Sequence, residues 1–411
     1  MKILHVNASD TSGGAAIAAY HLHKALLIEG IISQYLVLNK FSDDYTVIGP
    51  SSKLEQEINR LRGGVDRLRL KFYKNRMKTV FSPALLPFSK IKHKITQFDP
   101  DIVHLHWVGD GTINIKDLLS IKKPIVWSLH DDWVFTGGCH VKWQCNRYID
   151  KCGICPQLGS KITNDLSRKI WYKKNKVYSK KNELYFIGLS KWEADCAFKS
   201  SLLKNKPILN MPNLIFTDLF KPFDLNKSRE LWNLPQNKKI VLFGAKSVVN
   251  DLNKGLSELK EAFSKLLNRN VEIVIFGSSK PKDVINFGVP THYLGKFYDE
   301  ISLITLYNAA DVVVVPSLQE NLSNVIMESL SCGTPVVAFN IGGNSDLIDH
   351  KKNGYLATPF NSTDFAMGID WLLNNPHYDE ICKNARSKVL NEFESKIVAK
   401  QYIQFYTKLL S

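Results

Sequence analysis

Short runs rich in apolar residues alternate along this chain with longer stretches that have helical spacing. The runs are bounded by turns and predict strands, at Ile3–Val6, Ile102–Leu105, Ile125–Leu129, Tyr185–Leu189, Ile240–Phe243, Val271–Phe276, Val312–Val315 and Val336–Phe339. Helices are predicted between most of them, for example at Ala15–Leu27, Trp192–Leu203, Leu256–Leu267 and Leu303–Ala309. Strands that alternate with helices indicate an α/β fold with parallel sheets covered by helices on both faces.

The chain is too long for a single hydrophobic core. It has 411 residues, which suits two domains of ordinary size. A polar, proline-punctuated stretch around residues 206–235 marks the best break, and a new strand is predicted from Lys239. The final stretch, Glu392–Leu410, has aromatic and aliphatic residues at helical spacing. We therefore predict an N-terminal domain at 1–210, a second domain at 211–390 and a terminal helix at 391–411.

Composition excludes several classes of protein. The hydrophobic fraction of 44% and the charged fraction of 23% fit a globular enzyme and not a disordered or fibrous chain. No apolar stretch reaches the roughly 18 residues of a membrane span. The first residues predict a strand, because they lack the longer apolar region of a secretory signal. We therefore expect a cytoplasmic protein.

The net charge of +15 comes largely from two basic segments. One lies between Lys53 and Ile95, and the other runs from Arg168 to Lys181 with aromatic residues interleaved. Cationic and apolar side chains together suit contact with an anionic membrane surface. The alternative is a lysine-rich solvated surface. No nucleic-acid-binding motif is recognisable, so we expect no nucleic-acid partner.

Two glutamates, Glu320 and Glu328, give the clearest indication of chemistry. Glu320 follows the predicted strand Val312–Val315, and Ser323 is placed to cap the next helix, which carries Glu328. The backbone N–H groups at residues 322–324 would lie between the two carboxylates and could hold a phosphate. Two acidic residues at a solvated helix end are the alternative.

The segment Glu320–Val337, which ends in Gly-Thr-Pro-Val-Val, resembles the donor site of retaining glycosyltransferases of family 4. The resemblance implies the GT-B fold: two facing Rossmann-like domains with a cleft between them and a C-terminal helix that returns to the first domain. Met211–Leu214 is similar to the family's hinge segment. The resemblance also implies that Glu320 contacts the transferred sugar, that Glu328 holds the ribose, and that the nucleotide is bound by Asn321, Leu322, Ser323 and Asn324.

Two further segments resemble phosphate-binding parts of that family. Gly13 and Gly14 follow the first predicted strand and open a helix, so the backbone can approach a phosphate closely. A tight turn explains these glycines equally well. Lys254 matches the family's lysine and is expected to stabilise the leaving diphosphate. Lys246, one place beyond the position where the family carries an arginine, is its predicted helper.

Histidine and cysteine supply the remaining candidates. His130 ends a predicted strand, and the resemblance implies that it reaches the donor sugar as a catalytic residue. His104 and His106 are expected to serve packing or acceptor contacts. Cys139, Cys145, Cys152 and Cys155 cluster in one segment, which indicates either a structural zinc site or free packed thiols. The segment around them resembles a branch that includes colanic-acid-type polysaccharide enzymes.

These observations predict a retaining, hexosyl-type glycosyltransferase. It would move a sugar from a UDP- or GDP-sugar to a surface polysaccharide or lipopolysaccharide acceptor, either a glycan or a lipid-linked glycan. No divalent metal and no other cofactor is expected at the catalytic site. A sugar-nucleotide epimerase or hydrolase on a similar fold and a catalytically silent adaptor are the alternatives.

Overall fold

The computed structural model describes residues 1–87, 89–244, 251–268, 270–280, 284–297 and 299–411. The chain forms two compact units, of which the first comprises Met1–Leu214 and Val398–Ser411 and the second Ile215–Ile397. The ranges 1–210, 211–390 and 391–411 stay a prediction of the domains.

The first unit is built on a parallel sheet of seven strands in the order β3-β2-β1-β4-β5-β6-β7. Its strands are β1 Lys2–Ser9, β2 Ile32–Asn39, β3 Val47–Ile48, β4 Ile102–Leu105, β5 Ile125–Leu129, β6 Leu184–Gly188 and β7 Ile208–Asn210. Its helices are α1 Gly14–Ile28, α2 Lys53–Asp66, α3 Ile91–Phe98, α4 Leu166–Lys180 and α5 Lys191–Lys199. Short 3-10 helices lie at Arg67–Phe72, Ile115–Ser120, Asp132–Phe135, Arg147–Ile149 and Pro156–Leu158.

The second unit has a parallel sheet of six strands in the order β10-β9-β8-β11-β12-β13. These strands are β8 Lys239–Gly244, β9 Val271–Phe276, β10 Thr291–Gly295, β11 Val312–Val315, β12 Val336–Phe339 and β13 Gly354–Ala357. The helices are α6 Leu225–Leu231, α7 Leu256–Lys265, α8 Glu300–Ala309, α9 Asn324–Ser331, α10 Asn344–Leu347, α11 Ser362–Leu373, α12 Tyr378–Glu392 and α13 Ser395–Leu410, with a 3-10 turn at Leu252–Lys254. Most of α13 belongs to the first unit.

The predicted α/β architecture is confirmed. Each predicted apolar run forms a strand within a residue or a few of its expected bounds. The central strand β11 is a run of four buried valines. A continuous apolar strand of this kind is typical of a parallel sheet covered on both faces, and β-branched residues favour the extended backbone.

Helix α13 packs on the sheet of the first unit through aromatic residues. The Tyr406 hydroxyl lies 2.6 Å from Nδ1 of His104 on β4, and Tyr402 and Tyr406 are both buried. Among the described residues, no helix is long and apolar enough to cross a membrane.

A buried ion pair anchors α6 to the sheet of the second unit. Arg229 donates to Asp311 over 2.6 Å, and both side chains are under a tenth exposed. The same carboxylate accepts the backbone N–H of Ile240 at the start of β8, while Arg229 also donates to the Ala309 carbonyl. Because Asp311 directly precedes β11, the pair ties α6 to two adjacent strands.

Replacement of Arg229 by methionine should lower the free energy of unfolding by about 1.5–3 kcal/mol, because Asp311 loses its buried hydrogen-bonded partner. The more exposed Lys239, whose Nζ lies 3.2 Å from Asp311, remains as a cation beside the carboxylate. Urea denaturation followed by circular dichroism measures the change. The matched control is Arg60→Met, whose exposed pair with Glu57 should contribute less than about 1 kcal/mol. Equal losses in the two variants would contradict this account.

Candidate active site

The two sheets place their candidate residues at points where the strand order reverses. In the second unit, β8 and β11 are adjacent although they are separated in sequence. Lys254 lies in the segment after β8, and Glu320 lies in the segment after β11. In open parallel sheets, ligands bind beyond the carboxyl ends of the strands at such a switch point.

The loop after β11 ends in a capped helix. Ser323 is the N-cap of α9 and accepts the backbone N–H of Ile326, as the sequence predicted. Leu322 and Ser323 are buried, and Asn321 and Asn324 are half-buried. The first N–H groups of an α-helix have no partner within the helix, so the start of α9 favours an anion.

Glu328 is fixed from the protein side by a tyrosine. The hydroxyl of Tyr307, on α8, donates to Oε2 of Glu328 over 2.7 Å, and both residues are buried. Burial, with Glu328 adding to it, raises the pKa of Tyr307 well above its usual range, so the phenol stays protonated and remains a donor. Thr334 anchors the same helix by donating to the Tyr307 carbonyl. The carboxylate of Glu328 is therefore held in one orientation.

Asn253 joins the loop after β8 to the loop after β11. Its side-chain amide donates to the Gln319 carbonyl over 2.8 Å and accepts the Gln319 N–H over 2.9 Å. Its backbone carbonyl accepts the N–H of Leu318. Both backbone groups of Gln319 are thus satisfied by one side chain, which sets Lys254 beside Glu320.

Two glycines permit this close approach of loops. Gly255 has φ +65°, and a Cβ there would lie 1.8 Å from the carbonyl oxygen of Pro316. Gly342 has φ +52°, and a Cβ there would lie 1.8 Å from the carbonyl oxygen of Glu320. Gly343 donates its N–H to that same oxygen. The backbone of Glu320 is therefore held between the β8 and β12 loops.

The side chains of Lys254 and Glu320 form an ion pair. Lys254 Nζ lies 3.4 Å from Oε2 of Glu320, and the side chains are 31% and 19% exposed. Glu320 raises the pKa of Lys254, so the ammonium group stays charged. The structure thus places a cation beside a carboxylate in the loop that precedes α9. Lys246, the predicted helper, lies outside the described residues.

The glycine loop of the first unit follows β1. Gly13 is the N-cap of α1 with φ +102°, and its carbonyl accepts the N–H groups of Ala16 and Ile17. A Cβ at Gly13 would meet nothing within 4 Å, so the backbone angle, and not space, requires glycine. Gly14 is the first residue of the helix. This loop is fixed by Asp10, a fully buried residue that the sequence did not single out, whose carboxylate accepts the N–H groups of Phe41 and Ser42.

His130 lies directly after β5. Its Nε2 is 3.0 Å from Nδ1 of His106. Burial lowers the pKa of His130 to about 4, so the imidazole is neutral at pH 7. Asp131, the next residue, accepts from the Trp107 indole over 2.7 Å and lies 2.6 Å from His140 Nδ1. His130 is therefore a neutral hydrogen-bonding group on a rigid segment.

None of the four clustered cysteines is in a disulfide, and three of them, Cys139, Cys152 and Cys155, are buried. Cys139 and Cys155 pack in a hydrophobic cluster, and Cys152 accepts the N–H of Gly137. Burial raises the pKa of the Cys152 thiol to about 12. Within the described residues, three possible metal ligands lie close together at a different place, namely His5, His104 and His106. Their ligand atoms are all within 4.8 Å of one another. The predicted zinc site at the cysteines stays a prediction.

Comparison with known proteins identifies the class. Residues 225–389 match the family model described as glycosyl transferases group 1. A sucrose-phosphate synthase structure from Thermosynechococcus elongatus superposes with a TM-score of 0.72 at 19% identity, covering 100% of this chain and 99% of that one. The chain therefore has the GT-B fold. The match to the group 1 glycosyl transferases lies within the second unit of the chain.

Two curated relatives are similar to different portions of this chain. An uncharacterized glycosyltransferase of Methanocaldococcus jannaschii is 32% identical over 200 residues, 45% of this chain and 50% of that protein. WcaC of Escherichia coli, a glycosyl transferase assigned to colanic acid biosynthesis, is 25% identical over 356 residues, 82% of this chain and 83% of that protein. The chain thus spans about half of the length of the first of these relatives and most of the length of WcaC.

Replacement of Gly342 by alanine should destabilise the loop that holds Glu320. A positive φ alone costs an alanine about 1–2 kcal/mol, and the contact with the Glu320 carbonyl should add about 1–3 kcal/mol. Gly288→Ala is the control, because its φ is +75° and nothing lies within 4 Å of the added Cβ. Thermal and urea unfolding compare the two, and an equal loss in both would show that the contact is relieved without cost.

Proposed function

We propose that this protein is a retaining glycosyltransferase that moves a hexosyl-type sugar from a nucleoside diphosphate sugar to a surface glycan acceptor. The observation that carries the proposal is the Lys254–Glu320 pair, held by Asn253 at the switch point of the second sheet, with the buried Glu328 on the helix that follows. The similarity of residues 225–389 to the group 1 glycosyl transferases supports the reaction class. The relative assigned to colanic acid biosynthesis supports a surface polysaccharide as the product.

Each group has a role that follows from its chemistry. Glu328, oriented by the Tyr307 hydroxyl, accepts hydrogen bonds from the ribose. Lys254 and the N–H groups at the start of α9 bind the diphosphate and stabilise the charge that develops as it leaves. Glu320 positions the sugar. Glu320 also pairs with Lys254, so this ion pair has to open for the diphosphate to reach Lys254.

Retention without a covalent intermediate requires the acceptor to approach on the face from which the diphosphate departs. The bond from the anomeric carbon to the diphosphate oxygen breaks, and the bond to the acceptor oxygen forms. The acceptor's proton passes to the departing diphosphate, so no side chain has to act as a nucleophile. His130 is expected to donate a hydrogen bond to the donor sugar, and the Gly13–Gly14 turn to face the diphosphate or the acceptor.

Substitutions at the two glutamates test the assignment. Glu320→Ala should lower kcat by about a hundredfold or more, as expected for loss of a group that orients the reacting sugar, while nucleotide affinity is kept. Glu328→Ala should weaken the binding of UDP or GDP, measured by calorimetry, by about tenfold or more, since a hydrogen bond to a charged group contributes about 1.5–3 kcal/mol. Glu380→Ala, at a residue 72% exposed on α12, is the control.

Three outcomes would contradict the transferase proposal. Unchanged activity in Glu320→Ala would indicate that the carboxylate has no part in the reaction. Consumption of the sugar nucleotide at the same rate with and without acceptor would indicate a hydrolase or an epimerase. Failure of the folded protein to bind any sugar nucleotide would indicate an adaptor.

We also propose that the acceptor is lipid-linked and that the first unit contacts an anionic membrane through α2 and the 3-10 helix that follows it. Helix α2 is inverted, because it buries polar residues and exposes apolar ones. Its inner face carries Glu55, Asn59, Arg62 and Asp66, all buried. The outward stripe, which we call the apolar stripe, consists of Leu54, Ile58, Leu61, Val65, Leu68 and Phe72, between 45% and 86% exposed.

Polar contacts fix this inverted orientation. Glu55 pairs with Lys94 over 2.9 Å, and Arg62 donates to the carbonyl of Gly111 over 2.8 Å. The Asp66 carboxylate accepts three consecutive N–H groups at residues 84–86. Rotation of the helix would leave these buried groups unpaired, so the apolar stripe remains outside.

Charge complementarity favours an anionic lipid surface as the partner of the apolar stripe. The exposed cations beside it include Arg60, Arg69, Lys71 and Lys74. An apolar face flanked by cations is the pattern of a helix that lies in the membrane interface. The second basic segment does not have this pattern, because Ile170, Trp171 and Tyr178 of α4 are buried. Of the two basic segments, the one around α2 supports membrane contact.

The double variant Leu61→Asp, Phe72→Asp should bind vesicles of phosphatidylglycerol and phosphatidylcholine at least about tenfold more weakly, because each apolar side chain contributes roughly 1.5–3 kcal/mol on burial. Co-sedimentation measures the binding. Leu267→Asp, at a residue 86% exposed in the second unit, should bind like the wild type. Equal binding by the double variant and the wild type, or a wild-type protein that does not bind, would contradict membrane docking by the apolar stripe.

A further inference from the structure

A chain of three imidazoles runs from the core of the first unit to His130. His5, on β1, lies beside β4, and its Nδ1 is 2.9 Å from Nε2 of His106. The other nitrogen of His106, Nδ1, is 3.0 Å from Nε2 of His130. His5 and His106 are buried. The two contacts use both nitrogens of His106 and one nitrogen of each neighbour.

The backbone holds the central imidazole in place. The N–H of His106 donates to the Val6 carbonyl over 2.9 Å, and its carbonyl accepts from the Trp127 indole over 3.0 Å. A fourth histidine, His104, lies beside these three imidazoles but is not hydrogen-bonded to them. Its two nitrogens are 2.8 Å from the Ser128 hydroxyl and 2.6 Å from the Tyr406 hydroxyl.

Burial lowers the pKa of His5 and His106 well below the usual value, as it does for His130. Each imidazole is therefore neutral at pH 7 and has one N–H. Because His106 can donate only once, its two contacts must run in the same direction. The three imidazoles therefore have only two hydrogen-bonded states. Either each N–H donates in the direction from His5 toward His130, or each donates in the direction from His130 toward His5.

The environment of His5, at the inner end of the three imidazoles, decides between the two hydrogen-bond directions. Nε2 of His5 is buried and has no hydrogen-bond partner among the described residues. If the chain ran inward, this nitrogen would carry an orphaned N–H. If it runs outward, the nitrogen has only an unused lone pair. Buried N–H groups without a partner are rarer than under-satisfied acceptors, so the outward direction is favoured.

We infer that His5 and His106 are positioning residues that hold His130 as its Nδ1–H tautomer. Nε2 of His130 accepts from His106, and Nδ1, which has no partner within the described part of the chain, carries the proton. His130 then always presents a donor to a sugar or phosphate oxygen. It does not act as a base, because its acceptor nitrogen, Nε2, is occupied by the N–H of His106.

Nitrogen chemical shifts of the protein labelled with ¹⁵N-histidine read the tautomers directly. The expected result is an Nδ1–H tautomer for His5, His106 and His130, unchanged between pH 6 and pH 8. An Nε2–H tautomer at His130, or a charged ring at pH 7, would overturn the inference. Because His5, His104 and His106 are also close enough together to share an ion, metal analysis is included. One divalent ion per chain bound to these histidines would overturn it as well.

Two substitutions of His106 test whether the direction matters for activity. In His106→Gln, the amide oxygen can accept from His5 and the amide nitrogen can donate to His130, so the outward direction is kept. His106→Leu removes both contacts and leaves the His130 tautomer unspecified. We expect kcat about tenfold lower in His106→Leu than in His106→Gln, the value of one hydrogen bond, with little change in donor KM.

The control is His104→Gln. It changes a neighbouring buried histidine that is not hydrogen-bonded to the three imidazoles, so it should leave the His130 tautomer as it is. Equal kcat in His106→Leu and His106→Gln, with both folded, would overturn the inference. The kinetic comparison rests on the proposed transferase function, whereas the tautomer measurement does not. A wild-type protein without transferase activity would therefore refute the proposed function and leave the tautomer to be decided by nitrogen shifts.

Discussion

The candidate site in the second unit depends on one side chain, Asn253. A backbone segment that ends a strand has N–H and C=O groups that need partners once they are shielded from water. The side chain of Asn253 hydrogen-bonds to both the N–H and the C=O of Gln319, and so joins the loop after β8 to the loop after β11. The chain positions on either side, Lys254 and Glu320, are thereby brought within 3.4 Å of each other. Gly255 and Gly342 make the arrangement possible, because a side chain at either position would collide with a backbone carbonyl.

The first unit depends on polar groups that are buried and paired. Histidines lie on or just after the adjacent strands β1, β4 and β5, where apolar residues would pack without constraint on direction. Paired to one another and to hydroxyl groups, they form a layer in which each ring has a defined partner. Helix α2 follows the same rule, because its buried polar face fixes its rotation and leaves its apolar face outward. In both places, the cost of an unpaired buried group determines which side chains are presented outside.

Much of the fold could be predicted from sequence because the central strands are continuous apolar runs. Edge strands were less predictable: Thr291–Gly295 is only half-buried along its length, so it has no apolar run to detect. In the candidate site, Glu320, Glu328, Ser323 and Lys254 could be found because they occur in a recognisable local pattern. Asn253, Tyr307 and Asp10 could not, because their roles come from contacts across the fold. The basic segment at α2 was visible as charge, but its inverted burial was not, since periodicity does not say which face is inside.

The most direct test of the central claim is a crystal structure of the protein with an intact nucleoside diphosphate sugar. The account predicts that the diphosphate lies within hydrogen-bond distance of Lys254 Nζ and of the N–H groups at 322–324, that the ribose hydroxyls contact Glu328, and that Glu320 has left Lys254 for the sugar. A diphosphate bound elsewhere, with the Lys254–Glu320 pair unchanged, would contradict it.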